Sequence, residues 1–255
     1  MNKQLEDVGK IGVALGGGAV YGAAHIGVLR ALDECGVTID YIAGTSIGAF
    51  VGAMIAAGVS LDDAEKTLLD LDWLDIGRIS PSRMGLLSND KLGEELVRVA
   101  GIDTIEDADM PLGIVATDIS SGECVVLTEG DLSLAVRAST CVPGLFNPVE
   151  YGDKVLVDGG LVDNVPTSAV RDLGAEYVIA VDVGRQRHYG KPDDLIDVLV
   201  NSIDIALDNA TRLKSSDADL IIAPELSSGS RADSDRIEEL VQEGYESARK
   251  QLQDL

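Results

Sequence analysis

The chain is 255 residues long, 45% hydrophobic and only 4% aromatic, with a formal net charge of −24. Its length suits one large α/β domain over 1–255, with a core filled by Leu, Ile, Val and Ala. An excess of 44 acids over 20 bases repels nucleic acid and anionic lipid at long range, so no nucleic-acid partner is expected. The same acidity fits a high-salt cytoplasm and an ordinary acidic enzyme alike.

Residues 1–10 carry acids and no apolar run, so no signal peptide is expected and the location reads as cytoplasmic. Ile11–Leu15 is a short apolar run that predicts a strand, and the spacing predicts a helix over 22–35. The glycine turn between them sits where several proteins hold a nucleotide's phosphates. A G-x-G-x-x-G fingerprint fails in both frames. From Gly16 its last position is Tyr21, and from Gly17 its middle position is Ala19. The helix also lacks the Gly-Lys-Ser/Thr opening of a phosphate-binding loop. What survives is a set of backbone N–H groups on Gly17, Gly18 and Ala19, near a helix N-terminus, able to converge on a negative oxygen. That oxygen could be a phosphate's or the oxyanion of a tetrahedral acyl intermediate. A turn needing glycine only for packing stays open as the third reading. His25, four residues after Tyr21, reads as a packed, hydrogen-bonded core histidine.

Tyr41–Val59 is apolar enough to suggest a membrane span, but its four glycines, Thr45 and Ser46 divide it into strand, turn and helix. A strand is predicted at Tyr41–Ala43 and a helix over 46–57. Gly44-Thr45-Ser46-Ile47-Gly48 matches G-x-S-x-G in the strand–turn–helix setting of a nucleophile elbow. Ser46 is therefore the candidate nucleophile.

A helix follows over 61–70. The irregular stretch Leu74–Asn89 predicts a loop bordering the site. Trp73, Leu74, Ile76, Met84, Leu86 and Leu87 either pack this loop onto the domain or touch a lipid surface transiently. Further along, helices are predicted over 90–100, 131–138, 166–173, 193–213 and 233–253. Strands are predicted at Leu112–Thr117, Val155–Val157, Tyr177–Val183 and Leu220–Ala223, with a hairpin at Gly122–Thr128 and a polar surface connection at Ser227–Ser234. This alternation predicts an α/β fold with a mainly parallel sheet and right-handed crossovers.

A serine at neutral pH needs a base. The chain has two histidines, His25 and His188, and neither has the setting of a triad histidine. Asp158 ends the apolar run Val155–Val157 and is followed by two glycines that let other backbone approach. A desolvated carboxylate there can serve as base, so Asp158 is the leading candidate. Cys35, Cys124 and Cys141 lack metal-ligand spacing and read as reduced thiols. No metal and no cofactor is expected.

Taken together, the glycine turn with AAHIGVL after it, GTSIG around Ser46, ATDISSGE, VRASTCVPGLFNPV, DGGLVDNVP and AEYVIAVDVG resemble the patatin-like phospholipase family. Order and spacing agree from about Ile11 to Gly184. The resemblance implies a three-layer α/β/α fold and a Ser–Asp dyad hydrolysing acyl esters of lipids. It makes Ser46 the nucleophile, Asp158 its base, and Gly17, Gly18 and Ala19 the oxyanion-hole donors. A lipid or acyl ester would be the substrate, with transient membrane contact as a corollary.

Three positions depart from the family pattern. Ala19 replaces the third glycine of the turn, Tyr21 stands where a basic residue is usual, and Asp163 stands where asparagine is common. The altered turn at Ala19 and Tyr21 motivates an alternative reading as a weakly active or inactive lipid- or acyl-binding relative. Asp163 is also a second carboxylate that would act on Asp158 if the two were close.

Overall fold

The computed structural model describes residues 8–71, 77–80, 82, 84–185, 191–192, 195–214, 217–227 and 236–253. The strands are β1 (Ile11–Leu15), β2 (Tyr41–Thr45), β3 (Arg78–Ile79), β4 (Leu87–Ser88), β5 (Leu112–Asp118), β6 (Glu123–Leu127), β7 (Val149–Tyr151), β8 (Lys154–Asp158), β9 (Tyr177–Val181) and β10 (Leu220–Ile222). The helices are α1 (Ala24–Glu34), α2 (Ile47–Ala56), α3 (Leu61–Asp70), α4 (Asp90–Ala100), α5 (Leu132–Ser139), α6 (Thr167–Leu173), α7 (Leu195–Lys214) and α8 (Ile237–Gln253). Short 3₁₀ turns occupy Ala19–Ala23, Ile105–Asp107 and Gly159–Leu161.

Eight strands form one mixed sheet in the order β10-β9-β1-β2-β5-β8-β7, with β6 also paired to β5. The run from β10 to β5 is parallel, while β6, β7 and β8 are joined antiparallel. Side chains alternate between two cores. Val13 and Leu15 enter a large cluster with residues of α1, α2, α4, α5 and α8. Ala14, Ala43, Val115 and Ala180 meet Ala169 and Val170 of α6 on the opposite face. Helices thus cover both faces, the arrangement that makes parallel strands read as continuous apolar runs.

The second face is lined by small residues, so α6 lies close against the sheet. At Gly12 even a methyl group would overlap Val170. On the first face α1 and α8 approach equally closely, because a methyl at Gly27 would overlap the Val241 carbonyl and one at Gly244 the Ala24 carbonyl. Helix α8 therefore backs the helix that follows the glycine turn.

One feature of the register positions the site. Ile114 and Val115 of β5 pair with β6, and so do Ala116, Thr117 and Asp118. Val115 also pairs with Thr45 of β2, and Ala116 with Asp158 of β8. A strand has two edges, so β2 and β8 share the edge of β5 that β6 leaves free. They run in opposite directions along it and meet tip to tip at Val115 and Ala116. The last residues of the two strands are brought face to face there, just before Ser46 and at Asp158.

The expected strands and helices between 8 and 71 and between 90 and 183 are present, most with ends within two residues of expectation. β7 is an addition to the expected set. The irregular stretch contains the β3–β4 ribbon. His188, Trp73, Leu74 and Ile76, and most of the polar connection after Ser227, lie outside the described residues.

Candidate active site

The Ser46 backbone has φ 54° and ψ −124°, a positive φ that a side-chain-bearing residue rarely adopts. The sharp turn exists because neighbouring backbone leaves no room for any other path. A methyl at Gly44 would overlap the Gly48 carbonyl, and one at Gly48 would overlap the Leu15 carbonyl. With glycine at both, β2 turns directly into α2, and Ser46 stands at the helix N-terminus. Its carbonyl accepts from Ala49 N–H at 2.9 Å and Phe50 N–H at 3.2 Å.

Ser46 Oγ donates to Asp158 Oδ2 at 2.8 Å. The other carboxylate oxygen, Oδ1, accepts from Gly160 N–H at 2.8 Å. The backbone of Asp158 is held at both polar atoms. Its N–H donates to Cys141 O at 2.9 Å, and its carbonyl accepts from Thr117 Oγ1 at 2.9 Å. Asp158 is buried, and desolvation raises its pKa to about 6 from an ordinary 3.8. The Gly160 N–H and the Ser46 hydroxyl oppose that rise, and the charge of Asp204 on α7 adds to it. A carboxylate so placed is a better proton acceptor than an exposed one.

Two further serine and threonine hydroxyls tie the elbow to its surroundings. Ser46 N–H donates to Ser139 Oγ at 2.8 Å, and Ser139 Oγ donates to Val115 O at 2.6 Å. Ser139 ends α5, which starts with an Asp131 cap accepting from Leu134 N–H at 2.7 Å. At the other end Asn89 Nδ2 donates to Arg137 O at 2.8 Å. Thr45 Oγ1 donates to Asp163 O at 2.8 Å, joining β2 to the loop after Asp158.

The glycine turn lies beside Ser46. Gly16 N–H donates to Val181 O and Gly17 N–H to Asn164 O, both at 3.0 Å. Gly17 was expected as an oxyanion donor, but its N–H is spent on fastening the turn to the Asp163–Asn164 loop. The N–H groups of Gly18 and Ala19 have no partner among the described residues, and both residues lie toward solvent. Ala19 has φ 51°, the conformation that glycine would adopt without strain. Tyr21 is buried in the main core, so the position usually basic in the family is here part of the packing.

His25 is fully buried, with Nε2 2.8 Å from Gly16 O. A carbonyl only accepts, so Nε2 carries the proton. Burial holds its pKa down to about 4, and the neutral ring serves as a brace for the turn. Besides burial, the groups that shift Asp158 are Gly160, Ser46 and Asp204, and the Asp163 side chain accepts from Ser168 Oγ at 3.3 Å. The neighbouring carboxylate whose charge raises the Asp158 pKa is Asp204, which belongs to no motif. Ser139 was missed for a related reason. It lies within the quoted VRASTCVPGLFNPV, but a bridging hydroxyl has no sequence signature.

Fold and site together define an α/β protein carrying a hydrogen-bonded Ser–Asp pair at the meeting point of two strands, beside a glycine turn. The family model for patatin-like phospholipases matches residues 13–171, and the chain belongs to that family. An uncharacterized NTE family protein of Mycobacterium tuberculosis is 37% identical over 177 residues, covering 68% of this chain and 49% of that protein. Patatin-like phospholipase domain-containing protein 7 of Mus musculus is 35% identical over 190 residues, covering 68% of this chain and 14% of that protein. The chain therefore spans about half the length of the mycobacterial relative and a small part of the mouse one. Among solved structures, VipD from Legionella pneumophila shares the fold, with a TM-score of 0.57 at 13% identity, covering 97% of this chain and 67% of that one.

Proposed function

We propose that the chain is a serine acyl-ester hydrolase acting on lipid esters, with Ser46 as nucleophile, Asp158 as base and the glycine turn as oxyanion hole. The observation that carries this is the 2.8 Å hydrogen bond from Ser46 Oγ to Asp158 Oδ2 beside two N–H groups without partners among the described residues.

In the first half-reaction Ser46 Oγ attacks the ester carbonyl carbon while its proton passes to Asp158 Oδ2. The carbonyl π pair moves onto oxygen, and the Gly18 and Ala19 N–H groups stabilise that oxyanion. Collapse breaks the ester C–O bond, and the leaving alkoxide takes the proton from Asp158. Water then repeats the sequence on the acyl-enzyme, giving the free acid and regenerating Ser46. Asp158 receives a proton in each attack and returns it in each collapse, so no histidine is needed.

The lipid character of the substrate rests on family membership. Met84 and Leu86 are more than half exposed on the β3–β4 loop, which is tied to the segment after Ser139 by Leu86 N–H and Leu87 N–H to Leu145 O. They are the apolar residues through which we infer transient contact with a lipid surface. No helix among the described residues is long and apolar enough to cross a membrane. Flotation with zwitterionic vesicles tests that contact, and a Met84→Ser/Leu86→Ser variant should float less.

Purified wild-type protein should cleave short-chain p-nitrophenyl esters and take one fluorophosphonate per chain on Ser46. Ser46→Ala should lose both while keeping its thermal transition. Turnover by Ser46→Ala would overturn the nucleophile assignment. The alternative, a binding relative with little activity, is favoured by the strained Ala19; absent labelling of the wild type would support it.

A further inference from the structure

We propose that the side-chain amide of Asn164 is a third donor to the substrate's carbonyl oxygen, completing an oxyanion hole that the turn supplies only in part. This rests on the hydrolase reading above and assigns one more substrate contact to the same site.

Asn164 is 8% exposed. Its backbone oxygen is used, accepting from Gly17 N–H. Its carboxamide makes no hydrogen bond among the described residues. A side-chain amide carries two donors and an acceptor, and those of Asn164 keep some contact with solvent, so they are open to a ligand. An unpaired amide on a largely covered residue calls for an explanation.

The amide's location supplies one. A methyl group on Gly17 would lie 2.6 Å from Asn164 Oδ1 and 3.3 Å from Ser46 Cβ, so the carboxamide and the serine flank the same Cα. A methyl on Gly160 would lie 3.0 Å from Asp158 Oδ1 and 3.1 Å from Asn164 Oδ1. The carboxamide thus stands between the donor turn and the carboxylate, on the margin of the space into which an ester must come. It also lines a small crevice with Gly160, Asp163 and Thr211. Oxygen and nitrogen of an amide are exchangeable by a half-turn about χ2, so either end can present the N–H inward.

The turn itself points the same way. With Gly17 N–H committed to Asn164 O, only Gly18 and Ala19 are left as backbone donors, and Ala19 sits at a strained positive φ. Charge developing on the substrate oxygen would find a further donor in Asn164. That contact strengthens as the oxygen becomes negative, so it lowers the barrier more than it tightens ground-state binding.

The test replaces Asn164 by Leu, which keeps approximate volume and removes the polar group, and by Asp, which keeps shape and removes the donor. The probes are a short-chain p-nitrophenyl ester and a fluorophosphonate. Both variants should lose about 100-fold in kcat with KM little changed, and should label Ser46 correspondingly slowly. Asn164→Leu should melt close to the wild-type temperature, because the amide it removes makes no hydrogen bond among the described residues. Wild-type kcat in a folded Leu or Asp variant overturns the proposal. So does a fall in melting temperature with kcat unchanged, which would assign the amide to a structural water. If the wild type is itself not labelled at Ser46, the hydrolase reading fails instead, so the two failures are distinguishable.

Discussion

Ser46 N–H and Ser139 Oγ are 2.8 Å apart, and the same Oγ reaches Val115 O at 2.6 Å, so one buried hydroxyl bridges the elbow to β5 where β2 ends. The bridge holds a backbone with φ 54° that would otherwise relax. In Ser139→Ala both a donor and an acceptor are left buried without partners, each at a cost of about 1 to 3 kcal/mol. We expect a lower melting temperature and a fall in kcat of about tenfold or more with KM little changed, since displaced reacting atoms lose rate before affinity. Steady-state kinetics on the folded variant checks this. An unchanged kcat would make Ser139 a structural residue only.

As the proposed base, Asp158 must be ionised to accept the Ser46 proton. Its pKa is raised to about 6, chiefly by burial. The kcat/KM profile should therefore climb through an acid limb near pH 6, rather than near the ordinary carboxylate value. Asp204 adds to the rise, so Asp204→Asn should move the limb to lower pH. An acid limb that stays in place in Asp204→Asn would show that the α7 carboxylate does not reach Asp158.

The same shift has a consequence for stability. The folded pKa lies above the unfolded one, so between about pH 4 and 6 the native state binds the additional proton. The carboxyl's favourable contribution is present below pH 4 and is lost as pH rises through 6. At pH 7 to 8 the ionised, buried Asp158 costs on the order of 2 to 3 kcal/mol. Asp158→Asn should accordingly melt higher than wild type at pH 8 and lose that advantage at pH 4, while being inactive. Differential scanning calorimetry at the two pH values reads the difference. A higher melting temperature at pH 4 only would reverse the sign and refute the assignment of burial as cause.

The pair Ser46 and Asp158 was legible because each closes an apolar run and opens a glycine-bearing turn, patterns that survive in one dimension. Strand existence was legible for the same reason. Strand direction was not, since an apolar run such as Val155–Val157 reads identically either way, and the antiparallel β8 is what brings Asp158 to Ser46. β7 is three residues long with an exposed Glu150 at its centre, too short to show a period. The use of Gly17 N–H by Asn164, the Ser139 bridge and the Asp204 charge all join segments tens of residues apart. Such contacts are made by tertiary packing, and local spacing carries no trace of them.

Two glycines near the site should respond oppositely to the same substitution. At Gly48 a methyl would strike the Leu15 and Gly16 carbonyls, backbone atoms fixed in the central sheet and its turn. Gly48→Ala can be accommodated only by separating β1 from α2, so we expect a loss of more than about 2 kcal/mol or an insoluble chain. At Gly17 the methyl meets the Asn164 carboxamide at 2.6 Å and Ser46 Cβ at 3.3 Å. The first is the end of a side chain that can rotate away, so Gly17→Ala should fold and melt within a few degrees of wild type. Its cost should fall on catalysis, because the group that must move is the proposed oxyanion donor. We expect kcat to fall at least tenfold in Gly17→Ala, and the double variant with Asn164→Leu to fall no further than Asn164→Leu alone. Additive losses in the double variant would mean that the methyl acts through Ser46 rather than through Asn164.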